Sequence, residues 1–132
     1  MFEEDHQHFS DELENKNALW EQNYLFLNHV LTLIHRERAL FKVLLSDNGD
    51  PSFLPRLRKM TMNEIEQRVT LYHAHFTDII PTHYGEDLVV DGLLSLIQSW
   101  LRNPHPESVV HFSKILTASQ MLAPFNLLEK DR

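Results

Sequence analysis

The sequence predicts an all-α fold, and three observations support this prediction. Its 132 residues are enough for one domain with a substantial hydrophobic core. Apolar residues recur three and four positions apart, as on one face of a helix, and no alternating run rich in Val, Ile and Thr indicates a strand. Only three glycines and six prolines interrupt the chain. We therefore expect a bundle of about five to six helices.

The helices can be placed in chain order. The acidic segment 3–15 has a thin apolar stripe, since Phe9 and Leu13 lie four residues apart. A breaker region, 76–85, should hold a short helix or a turn, with Tyr84 and Gly85 in the turn. The longer helices are expected over residues 17–45, 53–75, 87–102 and 107–122.

The strongest helix stop lies at residues 46–51, which contain Asn-Gly and Asp-Pro. Gly49 can adopt a positive φ without steric cost. We expect Ser52 to cap the next helix. This places Pro55 at the third helical position, where its missing N–H costs nothing.

The last two helices carry more apolar surface than their own subunit can cover. Both are apolar over a wide arc, and a helix of that kind must be covered on more than one side. In the first, Gly92, Ser95 and Ser99 form a ridge of small residues that suits close approach by another helix. We therefore expect a second copy of the chain to pack here. The predicted dimer interface comprises Val89, Gly92, Leu93, Leu96, Ser99, Trp100, Val109, Phe112, Ile115, Leu116 and Ser119.

Composition excludes several classes of function. The chain has no cysteine, so disulfides and thiolate metal sites are ruled out. This composition is compatible with a reducing compartment. No apolar run is long enough for a membrane span, and the acidic start is not a secretory signal. The net charge of −7 disfavours nucleic-acid binding, and the densest basic cluster, Arg56, Arg58 and Lys59, carries no groove-reading motif. We expect a cytoplasmic protein with no membrane partner.

No catalytic, cofactor or metal site is expected. None of the nine histidines lies three or four residues from another, the spacing that two ligands on one helix face require. One Glu-x-x-His motif ends at His6, whereas a di-iron bundle needs two. An enzyme on a helical scaffold stays open as an alternative. It would need a buried cluster of His73, His75 or His83 with Glu64 or Asp78.

Several segments resemble the C-terminal domain of TetR-type transcriptional regulators of low-GC Gram-positive bacteria. The segments are Leu-Phe-Lys-Val-Leu-Leu-Ser at 40–46, Gly-Asp-Pro-Ser-Phe at 49–53, the glycine, apolar run and Trp-Leu at 92–101, and Pro-Glu-Ser at 106–108. The resemblance implies a ligand-sensing domain that dimerises through an intermolecular four-helix bundle built from the last two helices. It also implies a DNA-binding helix-turn-helix head, which this chain lacks. Residues 1–16 would then be the remnant of a connecting helix, 17–124 the domain and 125–132 a frayed tail.

We therefore expect a homodimeric regulatory domain that senses a small, partly apolar molecule. DNA would be contacted only through the helix-turn-helix head. A helical protein-interaction adaptor without a small-molecule ligand is the alternative. Among the residues that we consider for ligand binding, the polar ones are also consistent with a solvent-exposed helix face, and the apolar ones are also consistent with the hydrophobic core. The candidate ligand-binding residues are Tyr24, Asn28, Thr32, Met60, Glu64 and Tyr72.

Overall fold

The computed structural model describes residues 21–71, 73–120 and 127–129. Over these residues the all-α prediction is confirmed, with five helices and no strand. The predicted connecting-helix remnant, 1–16, lies outside the described residues, as does most of the predicted tail. Among the described residues, helix α1 covers 21–36. It is followed by α2 (Arg38–Leu44), α3 (Phe53–Leu71), α4 (Thr82–Arg102) and α5 (Val109–Ser119).

The hydrophobic core lies between α1, α4 and α5. At its centre the ring of Trp100 stacks on Phe112, with the ring centroids 4.8 Å apart, and the indole Nε1 donates a 2.9 Å hydrogen bond to the carbonyl of Glu107. Helices α2 and α3 pack against α4 from outside this core. Each fully buried large apolar side chain contributes about 1.5–3 kcal/mol. The core comprises Leu27, Leu31, Ile34, Leu93, Ile97, Trp100, Leu101, Phe112 and Leu116.

The predicted single helix over 17–45 is wrong, because the chain turns at Glu37 and α2 begins at Arg38. The turn places the Arg38 guanidinium at the C-terminus of α4. There its Nη2 donates to the carbonyls of Trp100, Leu101 and Asn103 at 2.8, 2.9 and 3.2 Å. The last carbonyls of a helix have no partner within it. Arg38 therefore caps the C-terminus of α4 because the predicted helix is interrupted at Glu37. The spacing of apolar residues does not reveal this interruption.

Gly49 is needed for a reason other than the predicted one. No described glycine has a positive φ, but a Cβ on Gly49 would lie 2.5 Å from the carbonyl oxygens of both Val43 and Leu44. Close backbone approach therefore requires glycine here. The predicted start of α3 at Phe53 is confirmed. Ser52 acts differently from the prediction, since its N–H and hydroxyl both donate to the carboxylate of Asp50.

Helix α3 ends before the predicted residue 75. His73 has a φ of 55°, its N–H donates to the carbonyl of Thr70, and the N–H of Ala74 donates to the carbonyl of Val69. This pair of bonds is the Schellman arrangement, in which a left-handed residue follows the helix end. This helix end is not evident from sequence, because glycine, the usual left-handed residue at such a position, is absent.

The predicted boundaries of the last two helices also need correction. Helix α4 begins five residues early, at Thr82, so Tyr84 and Gly85 are helical rather than in a turn, and their N–H groups donate to the carbonyl of Pro81. Helix α5 begins at Val109 rather than 107. Ser108 is its cap and accepts a 3.1 Å hydrogen bond from the His111 N–H. Pro106 therefore precedes the helix.

Candidate functional site

One side of α4 is left open by its own subunit. We call Leu88, Gly92, Ser95 and Ser99 the outer face. All four are exposed, and Leu88 is 67 % exposed. Apart from the backbone of its own helix, no atom in the part of the chain that the structure describes lies within 4 Å of a Cβ built on Gly92. The opposite side of the same helix is buried in the core. Helix α4 therefore presents small and apolar groups outward, as an interface between helices would require.

The structure divides the predicted interface residues into two sets. Leu93, Trp100, Phe112 and Leu116 belong to the subunit's own core, so they have almost no area left to bury against a partner. The remaining seven are half-buried or exposed. Their place in an interface stays a prediction. They are Val89, Gly92, Leu96, Ser99, Val109, Ile115 and Ser119.

The five predicted ligand-binding residues that the structure describes lie on α1 and α3, and their role in ligand binding stays a prediction. Asn28 donates a 3.2 Å hydrogen bond to the Ser113 hydroxyl on α5, and Thr32 donates to the carbonyl of Asn28 on its own helix. Met60 is 66 % exposed and Glu64 is exposed, on α3. Tyr24 is half-buried on α1, and Tyr72 lies outside the described residues.

A different pair of side chains meets between α1 and α3. The guanidinium carbon of Arg68 lies 3.9 Å from the centroid of the Phe26 ring, and the Arg68 Nε is buried without a hydrogen-bond partner. Ile65, one turn earlier on α3, is half-buried against the core. Sequence reasoning missed this site. The available signal was an arginine on the same helix face as Ile65 and Met62, at helical spacing.

Helix α3 is attached to α4 by ion pairs. Arg58 pairs with Asp91 at 2.8 Å and also with Asp87, two carboxylates four residues apart on one face of α4. These two hydrogen-bonded carboxylates, Asp91 first, raise the pKa of Arg58 above its usual range. No residue of α3 is fully buried. Charged contacts and a half-buried face therefore hold this helix in place.

An open depression of about 480 Å³ lies along α3. Met60 and Glu64, the two described α3 residues of the predicted ligand site, do not line it. The depression is open to solvent, and carbon atoms contribute most of its lining surface. The lining residues are Asn63, Glu66, Gln67, Thr70 and Leu71.

The histidines give no support to the enzyme alternative. His73, His75 and His83 are all exposed, as are Glu64 and Asp78. The described part of the chain contains no group of three or more His, Asp or Glu side chains arranged to hold a metal ion. In the same residues, no helix has both the length and the apolar character that crossing a bilayer requires.

Comparison with known proteins identifies the family. Residues 21–121 match the family model of the TetR transcriptional regulator C-terminal region. This range contains almost all of the region over which the sequence resembles such proteins. The family consists of regulatory domains and not enzymes. No curated protein and no solved structure matches the chain. With 101 of its 132 residues in the match and an all-helical fold, the chain belongs to the family of TetR-type transcriptional regulator C-terminal regions.

Proposed function

We propose that this chain is the effector-sensing and dimerisation region of a TetR-type regulator that acts in the cytoplasm. Two copies associate through the outer face of α4 and the exposed side of α5. A small molecule binds within each subunit and shifts the relative arrangement of its helices. A helix-turn-helix head joined to the domain would move with them and would make all contacts with DNA.

The open glycine on α4 is the observation that carries the dimer proposal. A glycine inside a helix costs about 1 kcal/mol relative to alanine. No contact with the described residues of the subunit explains Gly92, because none of them occupies the space around its Cβ position. Interaxial distances between packed helices depend on the side chains at the contact, and glycine permits the closest approach. Ile115 on α5, exposed at 37 %, supplies a further apolar group.

The variant Gly92→Leu tests this interface. Within one subunit the leucine would extend into open space, so the monomer should keep its fold and gain helix propensity. If α4 of a second copy lies against this position, the side chain must separate the two helices. We expect light scattering to give twice 15.6 kDa for the wild type and a single-chain mass for the variant.

Ala39→Leu is the matched control, because it adds a leucine at an exposed position of α2. It should remain dimeric. Phe112→Glu is unsuitable as a test, since Phe112 is 5 % exposed and its loss would damage the core. A monomeric wild type, or a Gly92→Leu dimer with unchanged dissociation constant, would show that the interface lies elsewhere or does not form.

The attachment of α3 supports effector sensing. A helix without fully buried side chains, held by the partly exposed ion pairs of Arg58, can change position at low cost in free energy. A ligand that binds one arrangement of α3 more tightly than another shifts the population towards it. The space between α1, α3 and α4 is therefore the place where binding would change the shape of the domain.

A thermal-shift screen tests sensing directly. A ligand that binds only the folded protein raises its melting temperature in proportion to the logarithm of ligand concentration over Kd. We expect small, partly apolar compounds to stabilise the wild-type domain in a saturable manner. A broad library in which no compound raises the melting temperature would favour the adaptor function instead.

A further inference from the structure

We propose that Arg68 and Phe26 form the recognition point for a negatively charged effector, a small organic acid with an apolar body. This inference rests on the proposed sensing function and adds the chemical class of the ligand. Nothing in the family match assigns a ligand or a binding residue.

Arg68 differs from the other half-buried arginines of the described chain. Arg38 also has a buried nitrogen without a partner, Nη1, but its Nη2 donates to three carbonyls, and Arg58 pairs with two aspartates. Arg68 makes no hydrogen bond or ion pair with any described residue, although the chain carries 19 acidic residues. Burying part of a cation without an oxygen partner is costly, and the Phe26 ring compensates only in part. The arrangement leaves an anion-binding group ready for a partner from outside the chain.

The surroundings of Arg68 favour a ligand with an apolar body. Phe26 lies beneath the guanidinium plane, while Ile65 and Val69 are half-buried on the same helix. Arg68 as a whole is half-buried rather than fully enclosed, so part of its side chain remains in contact with solvent. A carboxylate fits the planar guanidinium with two parallel hydrogen bonds, a geometry that a lysine cannot provide.

The test compares matched acid and amide pairs on the wild-type domain. Benzoate is paired with benzamide and hexanoate with hexanamide, each titrated over the millimolar range at constant ionic strength. We expect the acids to raise the melting temperature and the amides to have little effect. Arg68→Gln should weaken acid binding by about tenfold or more, because a charge-assisted pair is lost. Arg56→Gln, at an exposed arginine that pairs with Asp50, should bind as the wild type does.

The outcomes separate this proposal from the general one. If amides stabilise the wild type as well as acids do, or Arg68→Gln keeps full acid binding, the role of Arg68 is refuted while sensing stands. If no acid stabilises the wild type, the anion site is refuted. The proposed sensing function is then tested only by the neutral compounds of the thermal-shift library. The acid–amide comparison uses the wild-type chain, so a poorly folded Arg68→Gln variant would not remove the test. Arg68→Lys, which keeps the charge, should retain part of the binding.

Discussion

Replacing the half-buried Arg38 with methionine should destabilise the domain more than the same change at the exposed Arg36. The substitution keeps much of the apolar stem but removes three hydrogen bonds to the C-terminal carbonyls of α4, at 2.8, 2.9 and 3.2 Å. Bonds to a charged donor contribute about 1.5–3 kcal/mol each, but water can replace part of them at a helix end. The guanidinium also lies 5.4 Å from the Trp100 ring, a contact that adds about 0.5–1 kcal/mol. The expected loss is about 2–4 kcal/mol of the unfolding free energy.

Urea denaturation followed by tryptophan fluorescence measures this loss, since Trp100 is 2 % exposed and reports directly on the core. Arg36→Met is the matched control, because Arg36 is exposed on α1 two residues earlier and makes no ion pair or hydrogen bond with the described residues. It should change stability by less than about 0.5 kcal/mol. Protein concentration must be equal in all samples because dimerisation shifts the transition. If the two variants lost equal stability, Arg38 would not act as the cap of α4.

The remaining predictions concern local features. Gly49→Ala should cost about 1–3 kcal/mol, since its Cβ would meet two carbonyl oxygens at 2.5 Å, and a lower urea midpoint would show it. Ser108→Ala should cost about 1 kcal/mol through loss of the bond from the His111 N–H, whereas an unchanged midpoint would show that the cap is dispensable. Hydrogen bonds from the Ser52 N–H and hydroxyl hold the pKa of Asp50 below the usual value of an aspartate. Asp50→Asn should therefore lower the free energy of unfolding at neutral pH. The difference in stability between wild type and variant should disappear as the pH falls through the lowered pKa of Asp50. A difference that does not change with pH would contradict this reasoning.

The dimer proposal also bears on how such a domain could transmit a signal. The outer face of α4 is opposite the side of this helix that packs in the core. Arg58 links α3 to Asp87 and Asp91 on the same helix. A ligand that moves α3 would therefore act on the helix that also carries the proposed interface. This connects the two halves of the proposal through α4.

Sequence patterns succeeded where the signal was local. The turn at 46–51 and the start of α3 at Phe53 follow from turn-forming residues, and the family follows from short segments in a fixed order. Patterns failed where a distant partner decided the outcome. The break at Glu37 accompanies the cap that Arg38 places on α4. The ion pairs of Arg58 with Asp87 and Asp91 likewise join two separate helices, and helical spacing does not reveal them.

The sequence by itself determined that the chain is helical, which segments are apolar, and which family it belongs to. Only the tertiary structure decided which apolar residues face the subunit's own core and which remain outside. Phe112 and Ile115 illustrate this, since both are apolar and lie on α5, yet one is buried beneath Trp100 and the other is exposed. Helical spacing states which residues share a face, but the neighbour that covers this face is fixed by packing between segments far apart in the chain.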